Sequence, residues 1–510
     1  MSERLRRALA DDEESGEIQP VEAAPARRAV EVEDSGEHPV ARPARAVDSD
    51  EDTTVVVETV QPVAPAESEP KPVSAADSSG TKTALPWKGP MWAVALTAAA
   101  IVVSLITTAI PQSQRTVPAA QLISSGRTLF CPPSQGKANL SAGTMGGNVQ
   151  VGTSSDNLSE KPLPAVTKID NSAGYVRSVA GQRPPTGSAL SAEKGMTTWV
   201  PCVGAATGGA VSLTNPSASD LVVVNSDTRA ATVDIALLGA TGDIDSAGMR
   251  GIRVSPGQTK VLPLSAWANV STPVTALVDS REGRVVVGAR TWAPKGRETI
   301  AMAPADKTVY LPGVPAKVST ATLVIANPGT ARLSVSVTAL AGRGSFTPEG
   351  ADEIDIDPRS TIQVDLAKAL AGEAVGLKLS ANDPLVARLF VQGKQGTTDY
   401  ALVGPGTPSK VLQQTLGADG TLELSNPGRD AVTFTGTLTA DGGKQTALNG
   451  TVPAGSTWSG KVPGVGHLHI EGSAPLTGAV VSSSGLAVLP LDAVATSTNG
   501  RRASVDPQLR

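Results

Sequence analysis

The residues with the most obvious chemistry are two histidines near the carboxyl end, in the run His467-Leu-His469. Alternation along a β-strand would place both imidazoles on one face, with Glu471 next on that face. A metal ion needs its ligands at about 2 Å, whereas three alternate strand positions span roughly 13 Å. We therefore predict exposed strand residues here, with no metal site and no cofactor.

Cys131 and Cys202 are the only cysteines of the chain, with 70 residues between them. Outside the cytoplasm two such cysteines form a disulfide by default, so we predict that bond. Two free thiols are the alternative. A catalytic thiol needs a partner base, and His467 and His469 belong to a different repeat, so we predict no catalysis by either cysteine.

Other short motifs fail when their spacing is checked. The acidic runs Asp243–Asp245 and Glu353–Asp357 lack the glutamate that closes a calcium loop at its twelfth position. Ser191-Ala-Glu-Lys194 and Ser155-Asp-Asn157 match motifs of penicillin-binding enzymes, but in reverse order and without a later Lys-Thr-Gly. The sequence thus predicts that the protein is not an enzyme.

An apolar segment precedes all of these residues. Residues 91–110 read MWAVALTAAAIVVSLITTAI and contain no charge, and a helix of that length, about 30 Å, crosses a bilayer. We predict a transmembrane helix at 87–112, acting as an uncleaved signal anchor, followed by a linker at 113–127. A buried helix of a soluble protein is the alternative.

The segment before it, 1–86, is predicted to be a disordered acidic tail. Residues 1–90 contain 10 Lys and Arg against 19 Asp and Glu, and no aromatic residue precedes Trp87. In Ser49–Val57 an acidic run is followed by threonines and valines, as in substrates of bacterial Ser/Thr kinases, so Thr54 is a candidate phosphosite. A solvated spacer is the alternative. We expect this tail in the cytoplasm, and the region after the span, with both cysteines, outside a plasma membrane crossed once.

The region after the span contains three similar segments. Apolar residues lie four and two positions before Asn225, Asn327 and Asn426, and a period-2 apolar pattern resumes after each asparagine. This pattern predicts a β-hairpin with one buried face that turns at the asparagine. Late strands and closing strands follow in each unit. The closing strands are expected at Ile300–Met302, Tyr400–Leu402 and Leu486–Val488.

Short strands with a turn every 8–12 residues are typical of immunoglobulin-like or fibronectin-like β-sandwiches, so the predicted fold is all-β. We predict a Cys-containing β module at 128–212, β-sandwich repeats at 213–318, 319–410 and 411–492, and a disordered C-terminal tail at 493–510. The basic residues form no dense stripe, so we expect no nucleic-acid partner.

The acidic tail, single span, Cys pair and repeated Leu-x-Leu-x-Asn-Pro-Gly units together resemble an uncharacterised family of actinobacterial single-pass envelope proteins. The run from Ala230 to Leu238 has an amino-acid composition typical of proteins encoded by high-GC genomes. The resemblance implies a membrane-anchored protein with a repeated β-sandwich ectodomain and no functional residue that can be carried over. Members accompany envelope glycan-assembly genes, which implies a role at the cell wall.

These observations favour a non-enzymatic envelope protein that presents a rod of four β modules laid end to end. Its expected partners are the membrane it spans and cell-wall polymer or other envelope proteins. The alternative is a transmembrane adaptor whose phosphorylatable tail docks envelope-assembly machinery.

Overall fold

A computed structural model describes residues 128–494, apart from 134–135, 155–156, 171, 180–181, 194, 294–295, 371 and 394–398. These residues belong to one compact unit, Gln112–Arg510. The predicted tails, Thr54, the predicted span at 87–112 and the linker at 113–127 lie outside the described residues, except for Ala493 and Val494. Among the described residues, no helix is both long enough and apolar enough to cross a membrane.

The regular secondary structure of the described residues is almost all β-strand, which confirms the predicted all-β class. The first module, here called the Cys module, consists of two antiparallel sheets, in the orders β4-β3-β6-β1-β9 and β5-β2-β7-β8. Its strands are β1 (Thr128–Cys131), β2 (Lys137–Gly143), β3 (Val149–Ser154), β4 (Asn157–Lys161), β5 (Ala165–Asp170), β6 (Gly174–Ser178), β7 (Thr186–Glu193), β8 (Met196–Pro201) and β9 (Val203–Gly204).

Repeat 1 pairs the sheet β10-β16-β12-β13, joined by β14, with the sheet β15-β11-β17-β18. Its strands are β10 (Gly208–Leu213), β11 (Ser219–Val224), β12 (Ala231–Gly239), β13 (Gly242–Ile244), β14 (Ile252–Val254), β15 (Thr259–Pro263), β16 (Val274–Glu282), β17 (Val286–Ala293) and β18 (Gly296–Ala301). Short 3-10 turns lie at Pro216–Ala218, Ala247–Met249 and Leu264–Ala266.

Repeat 2 has the same plan, but one long strand, β25, bends to serve both sheets. Its elements are β19 (Asp306–Val314), β20 (Thr320–Ala326), β21 (Leu333–Ala341), β22 (Gly344–Phe346), β23 (Ile354–Ile356), β24 (Thr361–Asp365), the single-turn helix α1 (Ala367–Leu370), β25 (Val375–Gln392) and β26 (Tyr400–Val403).

Repeat 3 also has one long strand, β32, in both of its sheets. Its elements are β27 (Ser409–Leu416), β28 (Gly420–Ser425), β29 (Val432–Thr439), a 3-10 turn at Asp441–Gly443, β30 (Gln445–Val452), β31 (Thr457–Val462), β32 (Gly466–Ser482), β33 (Val488–Pro490) and β34 (Asp492–Ala493).

The predicted hairpin at each asparagine is wrong, although the predicted buried face is correct. β11 and β12 flank Asn225 but lie in different sheets. The equivalent strands of repeats 2 and 3 pair with different halves of β25 or β32 and not with each other. Leu221 and Val223 are buried, as are Val233 and Ile235 after the turn. Both strands point these side chains into the core between two sheets, which a period-2 pattern alone cannot distinguish from a hairpin.

The predicted repeat boundaries also miss the opening strand of each repeat. β10 crosses the predicted boundary at 212/213, and β27 crosses the one at 410/411. β19, predicted to lie in the first repeat, pairs with β25 of repeat 2. In each repeat the opening strand precedes the asparagine segment that identifies the repeat in the sequence. The repeated pattern therefore does not reveal the opening strand.

Candidate functional site

The four modules contact one another in a closed series. The second sheet of repeat 1 packs through Val222 and Val224 on Phe130 and Tyr175 of the Cys module. Repeat 2 contacts repeat 1 through a hydrogen bond from Thr361 Oγ1 to the Leu238 carbonyl, 2.9 Å long. Repeat 3 contacts repeat 2 in the equivalent way.

That equivalent contact is a hydrogen bond of 2.6 Å from Thr457 Oγ1 to the Leu340 carbonyl. Leu238 and Leu340 both lie near the end of their strand, β12 or β21. The same contact therefore occurs between repeats 1 and 2 and between repeats 2 and 3. This indicates that both pairs pack in the same way, with one sheet face against another.

The last repeat returns to the first module. Thr415 of β27 lies 2.8 Å, between hydroxyl oxygens, from Thr186 of β7, and Ser188 Oγ donates to the Thr415 carbonyl at 2.6 Å. The core of repeat 3 includes Leu190 and Trp199 of the Cys module. Modules laid end to end could not make these contacts, so the predicted rod is wrong for the described residues.

The closing strands of the four modules lie at the centre of this series. β8 contacts β18, β18 contacts β26, β26 contacts β33, and β33 contacts β8. β18 and β26 contain residues of the predicted closing strands, and β33 begins at the last predicted residue, Val488. One strand from each module therefore contributes to a closed series of contacts.

Glu298 of β18 lies in this central region. Thr198 Oγ1 of the Cys module donates to Glu298 Oε2 at 2.8 Å and accepts from the Thr299 backbone N–H at 2.9 Å. The other carboxyl oxygen, Oε1, is buried without a hydrogen-bond partner among the described residues, as is the Thr299 hydroxyl. Burial raises the pKa of Glu298 well above its usual range, which favours the protonated acid.

Arg388 of β25 lies close enough to Glu298 for their charges to interact. Its Nη2 donates to the Ala301 carbonyl of repeat 1 at 2.9 Å. Only 5% of its surface is exposed. Burial lowers the pKa of Arg388 to about 10, so the guanidinium remains charged at neutral pH.

Asp399 binds three modules together just before β26. Its Oδ2 accepts backbone N–H groups from Thr197 of the Cys module at 2.7 Å and from Leu486 of repeat 3 at 3.1 Å, and its Oδ1 accepts from Tyr400. Burial raises the pKa of this carboxyl to about 6, against the effect of these hydrogen bonds.

A cavity of about 130 Å³ lies at the same junction and is lined by all four modules. Glu298, Thr299 and Arg388 supply polar groups, and Asp492 of repeat 3 adds a half-buried carboxylate. Much of the remaining wall is apolar, with Met302, Leu402 and Val488 among its residues. The arrangement can hold a small molecule that has one charged end and an apolar end.

The residues identified from the sequence lie outside the four-module junction or have structural roles. Cys131 and Cys202 form the predicted disulfide, within the Cys module. His467 is buried against Thr415 and Thr186, with Nδ1 3.2 Å from Thr415 Oγ1, so the expected exposed position is wrong for it. His469 Nε2 contacts Glu471 at 2.9 Å.

Sequence reasoning missed Glu298, Arg388 and Asp399. They come from two repeats, and their hydrogen bonds to other modules span 100, 87 and 202 positions, respectively, so no local spacing connects them to their partners. One signal was available, since Arg388 interrupts the apolar run Leu385-Val-Ala-Arg-Leu389 of a predicted buried strand.

Fold and junction define an all-β protein of paired-sheet modules that meet at one polar centre. The chain belongs to a family of unknown function, DUF5719, whose model matches residues 209–463. The match begins in the opening strand of repeat 1 and ends after β31 of repeat 3, so it leaves out the Cys module.

No curated protein matches the chain. Among solved structures it is similar to a tetra-tandem repeat in the extending region of a large adhesion protein, at 12% identity over 72% of this chain and 100% of that chain, with a TM-score of 0.10. A structure of the infectious bursal disease virus Gx strain matches at 10% identity over 76% and 89%, with a TM-score of 0.11. Neither TM-score supports an inference about this chain.

Proposed function

We propose that the chain is a non-enzymatic, single-pass protein of the cell envelope whose four modules form a fixed binding platform outside the plasma membrane. The observation that carries the proposal is the junction itself. Glu298, Arg388 and Asp399 are each bound by a hydroxyl or backbone group of another module. Buried charged groups held in this way fix the arrangement of the modules.

The proposed location rests on two features. The uncharged segment 91–110 is long enough to cross a bilayer, and the Cys131–Cys202 disulfide lies beyond it. Disulfides persist in oxidising compartments, which supports an outer location for the modules and a cytoplasmic location for the tail. The proposed partners are cell-wall polymer or envelope proteins, bound by exposed faces and loops.

Protease treatment of intact cells, with the wall removed, tests this topology on the full chain. We expect loss of an epitope placed at the C-terminus and protection of one placed at the N-terminus. Lysed cells, in which both epitopes must be cut, are the control. A protected C-terminal epitope in intact cells would contradict the proposal.

Binding to purified wall polymer tests the proposed role. The full chain should sediment with the polymer, and a chain lacking residues 1–80 should sediment equally well. Thr54 and the tail would be required instead if the protein were an adaptor for cytosolic machinery. Failure to bind polymer, together with loss of function on deleting the tail, would favour that adaptor.

A further inference from the structure

We propose that the cavity at the four-module junction binds a small monocarboxylate, with Arg388 as the residue that recognises its carboxylate group. This site is independent of any wall ligand bound on the outer faces. The inference rests on the buried guanidinium of Arg388, on the polar atoms beside it that have no partner among the described residues, and on the apolar remainder of the wall.

Arg388 has five N–H donors, and within the described part of the chain one hydrogen bond is found for them, from Nη2 to the Ala301 carbonyl. Arg388 is 5% exposed and lines the cavity, and beside it Glu298 Oε1 and the Thr299 hydroxyl are buried without a partner among the described residues. The planar fork of arginine matches a carboxylate, which can accept two parallel hydrogen bonds. The cavity that Arg388 lines provides room for such a carboxylate.

The groups around Arg388 favour an anion with a single charge. Burial raises the pKa of Glu298, which favours its protonated form; in that form it adds no negative charge beside Arg388 and can itself donate a hydrogen bond. Its Oε1 has no partner in the described part of the chain.

The size and the lining of the cavity limit the rest of the ligand. About 130 Å³ accommodates only a few heavy atoms. Met302, Leu402 and Val488 offer apolar contacts to a short hydrocarbon body. Acetate and propionate are therefore suitable probes of the site.

Calorimetric titration of the full chain in detergent tests the proposal. We expect saturable binding of acetate and propionate at one site, with a dissociation constant of about a millimolar or weaker, as suits so few atoms. Ethylammonium, which reverses the charge, should not bind. No saturable heat with either carboxylate, or binding of ethylammonium alone, would overturn the assignment.

Two variants connect the binding to this cavity. Arg388→Lys keeps the charge but loses the planar fork, and it should weaken binding at least tenfold. Gly404→Ala should also weaken binding about tenfold, because its Cβ would come within 3.1 Å of Arg388 Nη1. Gly372→Ala is the matched control, since nothing lies within 4 Å of a Cβ at that position.

Using two variants keeps the test decisive if one of them does not fold. If Arg388→Lys does not fold, Gly404→Ala decides the question, because it keeps every charged group and its stability can be compared with that of Gly372→Ala. Binding that is unchanged in a folded Gly404→Ala or Arg388→Lys variant would place the carboxylate elsewhere and contradict the proposal.

Discussion

At the residue scale, one asparagine per repeat makes the connection between the two sheets. Asn327 is buried, and its Nδ2 donates to the carbonyls of Ala331 at 2.8 Å and Ile356 at 3.1 Å. Its Oδ1 accepts the Gly329 N–H at 2.9 Å. Asn225 and Asn426 make the same kinds of bonds. The residue that marks the repeat in the sequence thus satisfies backbone groups that no strand can pair.

Replacing this asparagine should therefore destabilise its repeat. Asn327→Ala leaves three carbonyls and one N–H of a buried corner without this partner, which costs about 2–4 kcal/mol. Asn449→Ala, at an exposed position of β30, is the matched control and should change little. Denaturant unfolding of both variants measures the difference. Equal stability of the two variants would contradict the role given to Asn327.

At the element scale, the sequence predicted what each strand buries but not where each strand lies. Alternating residues such as Leu221, Val223 and Ile235 identify a strand with one buried face because side chains alternate across a strand. They do not say which sheet the strand joins. Repeat 1 divides its late strand into β16 and β17, whereas β25 and β32 run through the same bend unbroken.

The central site was beyond prediction for a related reason. A buried polar residue can be recognised only if its strand is known to be covered on both faces. Glu423 of β28 looks like a solvent-facing residue between Leu422 and Leu424. It is 3% exposed, because β19 of repeat 2 packs near β28. Contacts between modules therefore decide the burial of such residues, and those contacts leave no local pattern.

Glu423 gives this packing a measurable effect on stability. Burial raises the pKa of its carboxyl to about 8. Between the unfolded value of about 4.3 and pH 8 the folded protein binds more protons than the unfolded chain, so its stability falls as the pH rises. Glu423→Gln removes the charge and should be more stable than the unmodified protein at pH 9, by roughly 2–5 kcal/mol.

Denaturant midpoints at pH 5 and pH 9 test this expectation. The advantage of Glu423→Gln should be small at pH 5 and largest at pH 9. Glu353→Gln, at an exposed position, is the control and should show no such difference. An equal effect of Glu423→Gln at both pH values would contradict the raised pKa of the Glu423 carboxyl.

At the scale of the whole molecule, the modules form a closed series because each sandwich has two outer faces that can be covered. Valines and alanines on outer faces, such as Val222, Ala326 and Val386, are buried by the neighbouring module. A linear rod would leave two such faces uncovered at its ends. Because repeat 3 packs on the Cys module, both of these faces are removed from water.

The most direct test of this account is a disulfide between the first and last modules. The hydroxyl oxygens of Thr186 and Thr415 are 2.8 Å apart, although 229 positions separate them in sequence. In a Thr186→Cys/Thr415→Cys variant of the full chain, oxidation should link the two peptides within one monomer, as detected by mass spectrometry. Thr186→Cys/Thr433→Cys, with the second cysteine at an exposed position, is the control. A monomer with no 186–415 linkage after oxidation would contradict the closed series of modules.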